Sequence, residues 1–544
     1  MTSASRPGRA DSTVLTVSDL RIEAKAGGEW SEIVKGISFT LKRGEVVGLV
    51  GESGAGKSTI GLATLGHVRQ GCRIKSGSVL FDGENVLNLP EARQRRLRGV
   101  RISYVAQSAA ASFNPAIRLM EQIVEAAVSR GGQGRMEAET NARALFRALR
   151  LPDPDHFGRR YPHQVSGGQL QRAMVVMAMI CKPDLIVFDE PTTALDVTTQ
   201  VEVLVSIREA IQKFGVAALY ITHDLAIVAQ MADRIMVLRH GEAVEEGPVS
   251  RMLTQPEHPY TKSLWAVHDI PMATRSEAPE LLRIDGLSAS YGSFQVLRDI
   301  SVLVGYGQTV AVVGESGSGK STLGRVIAGL MAPDSGSLSF KGEPCAPLVR
   351  QRTKDTLQKI QIIYQSAETA LNPRHAVRKI IGRPLKFYHG LTGSARTQRI
   401  LELLKTVELD ASYIDRLPGQ LSGGQRQRVA IARALAADPE LIVCDEVTSA
   451  LDQIVQAEIL KMLVSLQQRL GVSYLFITHD LATVRAIADD VVVMHQGTVV
   501  DQGPKEEVLA PPHKPYTQLL LASVPEMAEG WLDGVIAARQ LQES

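Results

Sequence analysis

Apolar runs that end in glycine or in acid recur along this chain. VVGLVGES and TVAVVGES are each long enough for a buried strand and stop where a turn must begin. DLIVFDE and ELIVCDE are runs of the same type, each closing on two carboxylates. ALYITHD and YLFITHD make a third pair. Between Gln107 and Ser166 the period changes, and EQIVEAAVSR and NARALFRALR read as helices. The pattern predicts an α/β fold in which buried strands feed helices, with a helical insertion ahead of the acidic strand.

These runs come in pairs because the chain is a tandem duplication. GESGAGKST at position 51 returns as GESGSGKST at 314, an offset of 263. VSGGQLQR at 165, LIVFDEPTTALD at 185 and ITHDLA at 221 return as LSGGQRQR, LIVCDEVTSALD and ITHDLA, each at an offset of 256. Constant order over such a distance fits two whole domains and excludes a solenoid of short repeats. The first domain is expected over 13–255, an extension and linker over 256–280, the second domain over 281–508 and a final extension over 509–544. The linker is DIPMATRSEAPE (Asp269–Glu280), polar and proline-containing. Each repeat closes on a similar tail, HPYT at His258 and HKPYT at His513.

Composition adds mainly exclusions. The 544 residues are 44% hydrophobic and 22% charged, which suits folded domains and not a disordered chain. Sixty Lys and Arg against 58 Asp and Glu leave a net charge of +2, with no global sign of a polyanion binder. Aromatics at 5% are thin for stacking on single-stranded nucleic acid. Cys72, Cys181, Cys345 and Cys444 are too far apart in sequence for a Cys-x-x-Cys zinc or redox motif. MTSASRPGRADST is no secretory signal, and no run of 18 apolar residues occurs. A soluble, cytoplasmic chain whose membrane association comes through partners is the expectation.

The chemistry begins with G-x-x-x-x-G-K-[ST] between strand and helix. Gly51, Glu52, Ser53, Gly54, Ala55, Gly56, Lys57, Ser58 and Thr59 form one such loop. Gly314, Glu315, Ser316, Gly317, Ser318, Gly319, Lys320, Ser321 and Thr322 form the other. Backbone N–H groups and the following helix N-terminus would cradle phosphate, with Lys57 and Lys320 reaching the β- and γ-phosphates. Ser58 and Ser321 would ligate Mg2+, together with Asp189 and Asp445 at the ends of the acidic strands. Glu190 and Glu446, one residue on, are placed to act as general bases on water. His223 and His479 end the third strand and are candidates for sensing the γ-phosphate. Ser166, Gly167, Gly168 and Gln169, and Ser422, Gly423, Gly424 and Gln425, open long helices as second anion sites.

This ordered set resembles the ATP-binding cassette (ABC) ATPases, over nearly the whole chain and twice. The resemblance implies two tandem P-loop ATPase domains, each with an antiparallel β subdomain and a helical subdomain, binding ATP and Mg2+. It makes Gln107 and Gln365 the glutamines that contact Mg2+ and water, and Asp196 and Asp452, in ALD, the residues that communicate across a dimer. It further implies a head-to-tail sandwich in which Ser422–Gln425 complete the first site and Ser166–Gln169 the second, both competent. GESGxGKS, Asn114-Pro115, Asn372-Pro373 and the HPYT tails resemble the oligopeptide/dipeptide/nickel importer class. That class implies two transmembrane permeases gripped around Ser108–Gln122 and Ser366–Ile380, an extracytoplasmic solute-binding protein, a peripheral place on the cytoplasmic membrane face, and no nucleic acid. A soluble ATPase of translation or DNA repair and an exporter ATPase are the alternatives. With no cysteine after Cys444, no iron–sulfur cluster is expected in the tail.

The family also stacks adenine on an aromatic residue ahead of the phosphate loop. Tyr291 fills that slot in the second repeat, and aligning Leu15 with Leu282 puts Ala24 there in the first. Trp30, in a four-residue insertion, is the candidate substitute.

Overall fold

The apolar runs of each repeat lie side by side as strands in the computed structural model, which describes residues 12–26, 28–193, 195–265, 278–449 and 451–543. The N-terminal segment and all but the last three residues of the expected linker lie outside those described residues. The first repeat contains β1 (Thr13–Ala26), β2 (Glu29–Lys42), β3 (Val46–Gly51), β4 (Cys72–Phe81), β5 (Glu84–Asn85), β6 (Ile102–Val105), β7 (Leu185–Asp189), β8 (Ala217–Ile221), β9 (Arg234–Arg239) and β10 (Glu242–Pro248). A six-stranded sheet runs β10-β9-β3-β8-β7-β6, parallel except for β10. An antiparallel sheet runs β2-β1-β4-β5. Burial on both faces explains why β3, β7 and β8 read as unbroken apolar runs. One core joins the two sheets through Leu15, Val17 and Ile37 on one side and Leu49, Val187 and Leu219 on the other.

The second repeat rebuilds this plan. Its strands are β11 (Glu280–Tyr291), β12 (Phe294–Gly305), β13 (Thr309–Val313), β14 (Ser335–Phe340), β15 (Glu343–Pro344), β16 (Ile360–Ile363), β17 (Leu441–Asp445), β18 (Ser473–Ile477), β19 (Asp490–His495) and β20 (Thr498–Pro504). Their orders are β16-β17-β18-β13-β19-β20 and β12-β11-β14-β15. Between β6 and β7 stand helices Leu119–Ser129, Arg135–Ala148 and Gly167–Met179; between β16 and β17 stand Val377–His389, Gly393–Thr406 and Gly423–Leu435. In the second set, Ile381, Leu385, Ile400, Leu404 and Val429 turn inward, at the spacing an amphipathic helix requires. Among the described residues no helix is long and apolar enough to cross a membrane.

The described chain divides into two compact units, one of residues 12–195, 199–265 and 525–543, the other of 196–198 and 278–524. The end of the chain, expected as the extension of the second repeat, is therefore built into the unit of the first. Gln230, 2% exposed, receives it: its amide donates to the carbonyls of Glu526 and Ala528, both at 2.7 Å, and accepts from Leu532 N at 3.0 Å.

Candidate active site

The strand register brings the motifs of each repeat together. Leu49 of β3 pairs with Ile221 of β8, and Ile221 with Asp189 of β7. The carboxyl ends of three neighbouring strands thus finish level, where open α/β sheets place their ligands. Val312, Ile477 and Asp445 repeat the arrangement. Each phosphate loop leaves its strand at a glycine with φ near 146°, Gly51 or Gly314. A Cβ there would stand 2.1 Å from Leu238 O or 2.0 Å from Met494 O, so the backbone turns against the neighbouring strand as only glycine allows.

The lysines are buried and hold their own loops. Lys57 Nζ donates to Gly51 O at 2.7 Å and Glu52 O at 2.9 Å. Lys320 Nζ donates to Gly314 O at 2.7 Å and Glu315 O at 2.6 Å, and burial pushes its ammonium below the ordinary range. Ser58 Oγ donates to Asp189 Oδ1, and Ser321 Oγ to Asp445 Oδ1, each at 2.8 Å. Two hard oxygen ligands therefore already sit side by side next to each phosphate nest, a donor set that suits Mg2+. Burial lifts the Asp445 carboxyl above its usual range.

Glu190 and Glu446 are the centres of the two sites. Both adopt left-handed backbone, φ 49° and 50°, a conformation costly for a glutamate and characteristic of functional positions. Gln107 Nε2 donates to Glu190 Oε2 at 2.8 Å, Thr193 Oγ1 adds a bond at 3.3 Å, and His223 Nδ1 lies 3.2 Å from Oε1. Gln365 Nε2 donates to Glu446 Oε2 at 2.5 Å, with His479 Nδ1 3.5 Å from Oε1. Burial alone would raise these carboxyls; the hydrogen bond and charge of the histidine outweigh it, and both lie below the ordinary carboxylate range. Burial alone would lower the histidines; their glutamates outweigh it, and both are raised. Each pair is an ion pair between about pH 4.5 and 6.5, the ordinary values of its two members.

The serine–glycine motifs are helix starts in their own repeats. Ser166 Oγ accepts from Gln169 N while Gln169 Oε1 accepts from Ser166 N, both at 3.3 Å. Ser422 and Gln425 form the same reciprocal cap. A Cβ on Gly168 would lie 2.0 Å from Thr199 Cγ2, and one on Gly424 2.4 Å from Val455 Cγ1, so these glycines let each helix pack against the next. Asp452 caps helix Gln453–Leu470 through Val455 N at 3.1 Å, and Asp196 accepts from Thr198 Oγ1 at 2.8 Å.

The aromatic slot differs between the repeats. Leu15 and Leu282 pair with Phe81 and Phe340, Ser18 and Asp285 with Ser78 and Ser337, Arg21 and Ser288 with Ser76 and Ser335. The offset of 267 carries on to Ala24 and Tyr291. Tyr291, 47% exposed, accepts from Arg325 Nη1 at 3.0 Å. Trp30 pairs with Lys25, one residue past Ala24, so it lies on the opposite strand face. Its ring sits 4.1 Å beneath the Arg73 guanidinium and does not take the place of Tyr291.

Three residues at these sites escaped the sequence reading. Tyr104 OH donates to Asp189 Oδ2 at 2.5 Å, whereas Ile362 occupies the matching position of β16. Tyr260 and Tyr516, from the HPYT-type tails, accept from Glu52 N and Glu315 N, both at 3.2 Å. The tail segment was visible as a repeated motif; its contact with the phosphate loop was not.

Two family models match. The ABC transporter family covers residues 34–193 and 297–449, and the oligopeptide/dipeptide transporter C-terminal region covers 244–286 and 500–543. The glutathione import ATP-binding protein GsiA of Salmonella typhimurium is 38% identical over 558 residues, spanning 94% of this chain and 89% of that one. The peptidoglycan transport ATP-binding protein YejF of Agrobacterium fabrum is 38% identical over 525 residues, spanning 94% and 96%. The GsiA protein of Escherichia coli is 35% identical over 557 residues, spanning 94% and 89%.

Proposed function

Because the chain belongs to the ABC transporter family, in its oligopeptide/dipeptide class, we propose that it is the energy-coupling ATPase subunit of an importer for a peptide-like solute. It hydrolyses ATP at two phosphate loops and acts through permeases that carry the membrane spans. The observation that supports this reading best is the twofold Gln–Glu–His cluster beside a lysine-braced phosphate loop. The chain sits peripherally on the cytoplasmic membrane face, and two transmembrane permease subunits and an extracytoplasmic binding protein complete the assembly. The names of the relatives, a glutathione importer subunit and a peptidoglycan transport subunit, favour glutathione or a short peptide as solute, and the solute itself is recognised elsewhere.

The loop amides and Lys57 or Lys320 hold the β- and γ-phosphates. Ser58, Asp189 and Gln107 would hold Mg2+ in the first repeat, and Ser321, Asp445 and Gln365 in the second; bound there, it neutralises phosphate charge. Glu190 or Glu446 orients a water and takes its proton as the water oxygen bonds to the γ-phosphorus and the bond to the ADP oxygen breaks. His223 or His479 keeps the glutamate ionised and in place until the γ-phosphate competes for it.

The test is reconstitution with the permeases in proteoliposomes, with the binding protein supplied on the extracytoplasmic side, and uptake of labelled glutathione and tripeptides. ATP-dependent uptake is expected, with turnover falling roughly 10²-fold or more in the Glu190→Gln, Glu446→Gln double variant while ATP binding persists. Near-wild-type turnover in that variant would overturn the glutamate assignment, and no uptake of any peptide-like solute would overturn the substrate class.

A further inference from the structure

The two helices that follow the Asn-Pro motifs are matched in backbone and opposite in charge. Leu119 N bonds Arg160 O, and Val377 N bonds Arg416 O, each at 3.0 Å, so helix Leu119–Ser129 and helix Val377–His389 begin at the same place in their repeats. The offset is 258, and the next helices, from Arg135 and Gly393, keep it. In this register Lys379 stands where Glu121 stands, and Arg383 where Glu125 stands. His375, Arg378, Lys386 and Arg396 stand where Ile117, Met120, Val128 and Ala138 do. Each of these six cationic positions is thus apolar or acidic in the first repeat.

In the second repeat these side chains line one groove of about 710 Å³, with Phe387 as its apolar wall. Arg378 is neutralised by Asp415 at 2.6 Å. Lys379, Arg383, Lys386 and Arg396 make no ion pair among the described residues, and Phe387 is 58% exposed. Four uncompensated cations around an exposed aromatic ring repel one another, and the fold keeps them together without an internal counter-charge. In the first repeat Glu121 pairs with Arg135 at 3.0 Å, while Glu125 is exposed and makes no ion pair among the described residues.

We infer that the groove of the second repeat is the docking site for an acidic, amphipathic segment of one permease's cytoplasmic loop, and that the first repeat's helix selects a neutral or basic segment of the other. The inference rests on the proposed role as a permease-driving ATPase. It adds that the two repeats are not interchangeable: electrostatic complementarity assigns each to one permease by penalising the wrong pairing. A concave groove with an aromatic wall fits a folded segment with an apolar anchor, and this favours a protein partner over an anionic lipid surface. The matched carboxylates of the first helix would be repelled by such a surface.

The test uses the full chain co-expressed with its permease pair, each permease separately tagged. Wild type should retain both permeases and show permease-stimulated ATPase. Lys379→Glu, Arg383→Glu and Lys386→Glu together should lower affinity for one permease at low salt by about tenfold or more, abolish the weakening by salt that wild type shows, and leave the permease-free ATPase rate unchanged. Reversing the acidic residues of that permease's loop should restore retention. Glu121→Lys with Glu125→Lys should affect the other permease alone. Unchanged retention in the triple variant, or loss of both permeases equally, would overturn the inference while leaving the ATPase role standing. Wild type that retains neither permease would sink the role itself, and the inference with it. Flotation with phosphatidylglycerol vesicles lacking permeases, abolished by the triple variant, would assign the groove to lipid instead and overturn it as well.

Discussion

At the scale of single residues, the ion pair of glutamate and histidine defines a pH window. The Glu190 carboxyl lies below its ordinary value of 4.5, so its share of stability is present above 4.5 and lost as pH falls through the lower folded value. The His223 ring lies above its ordinary value of 6.5, so its share is present below 6.5 and lost as pH rises through the higher folded value. Both describe one interaction, fully present between about 4.5 and 6.5 and repeated in Glu446 and His479. Replacing His223 and His479 by Gln should therefore lower the melting temperature of the nucleotide-free chain most near pH 6, with the difference shrinking toward about pH 9. A difference independent of pH would mean that the imidazoles contribute packing and no charge. A second residue-scale expectation concerns Tyr291. Aromatic stacking on a base contributes about 1–3 kcal/mol, roughly five- to a hundredfold in affinity. The second site, isolated by Lys57→Ala, should bind a non-hydrolysable ATP analogue tighter than the first, isolated by Lys320→Ala. Tyr291→Ala should remove the difference, whereas Trp30→Ala should change nothing, because its ring lies on the other strand face beneath Arg73. Equal affinities in both isolated sites would sink the asymmetry.

At the scale of elements, legibility followed chemistry. The phosphate loop, acidic strand and histidine strand could be read because phosphate binding imposes residue types at fixed short spacings. The antiparallel sheet β2-β1-β4-β5 came only from family resemblance: its strands carry bulges between Ser18 and Arg21 and between Ile22 and Glu23, which break the period of two. The tails were visible as HPYT-type motifs, yet nothing in their spacing tells that a tyrosine hydroxyl reaches the phosphate loop. In the fold, Tyr260 OH holds Glu52 N while Lys57 holds Glu52 O, and Tyr516 with Lys320 does the same for Glu315. The two peptide groups that flank one residue are thus pinned from either side. Tyr260→Phe and Tyr516→Phe keep the ring and remove that acceptor, at about 0.5–1.5 kcal/mol for one hydrogen bond. The expected result is a roughly two- to tenfold rise in KM for ATP with kcat and melting temperature nearly unchanged. A fall in kcat at constant KM, or an equal effect on stability, would show that the tyrosine does something other than organise the loop.

At the scale of the whole molecule, duplication explains most of what the sequence disclosed and hides the main departure from it. Matching motifs in two copies invites the assumption that each repeat keeps its own tail. Instead the last residues of the chain belong to the first unit, held by Gln230, an unremarked position in helix Leu225–Met231. The corresponding residue of the second repeat is Ala486, which has no side-chain amide to offer. No motif marks such a position, because one glutamine inside a short helix has many ordinary uses. Its three hydrogen bonds satisfy two carbonyls and one N–H of the tail, beside a fully buried Leu532 and the 3.5 Å pair of Arg208 with Asp533. In Gln230→Ala those backbone groups lose their partners at once, at about 1–3 kcal/mol for each that stays buried. The cheapest escape is for the tail to detach into water. Limited thermolysin digestion followed by mass spectrometry should then release fragments from 525–544 at least tenfold faster than in wild type, while the rest of the first unit resists as before. Leu532→Asp should reproduce the release by making the buried leucine site untenable for a charge. If both variants are cut at the wild-type rate, the tail is held by contacts other than these, and Gln230 is not its anchor.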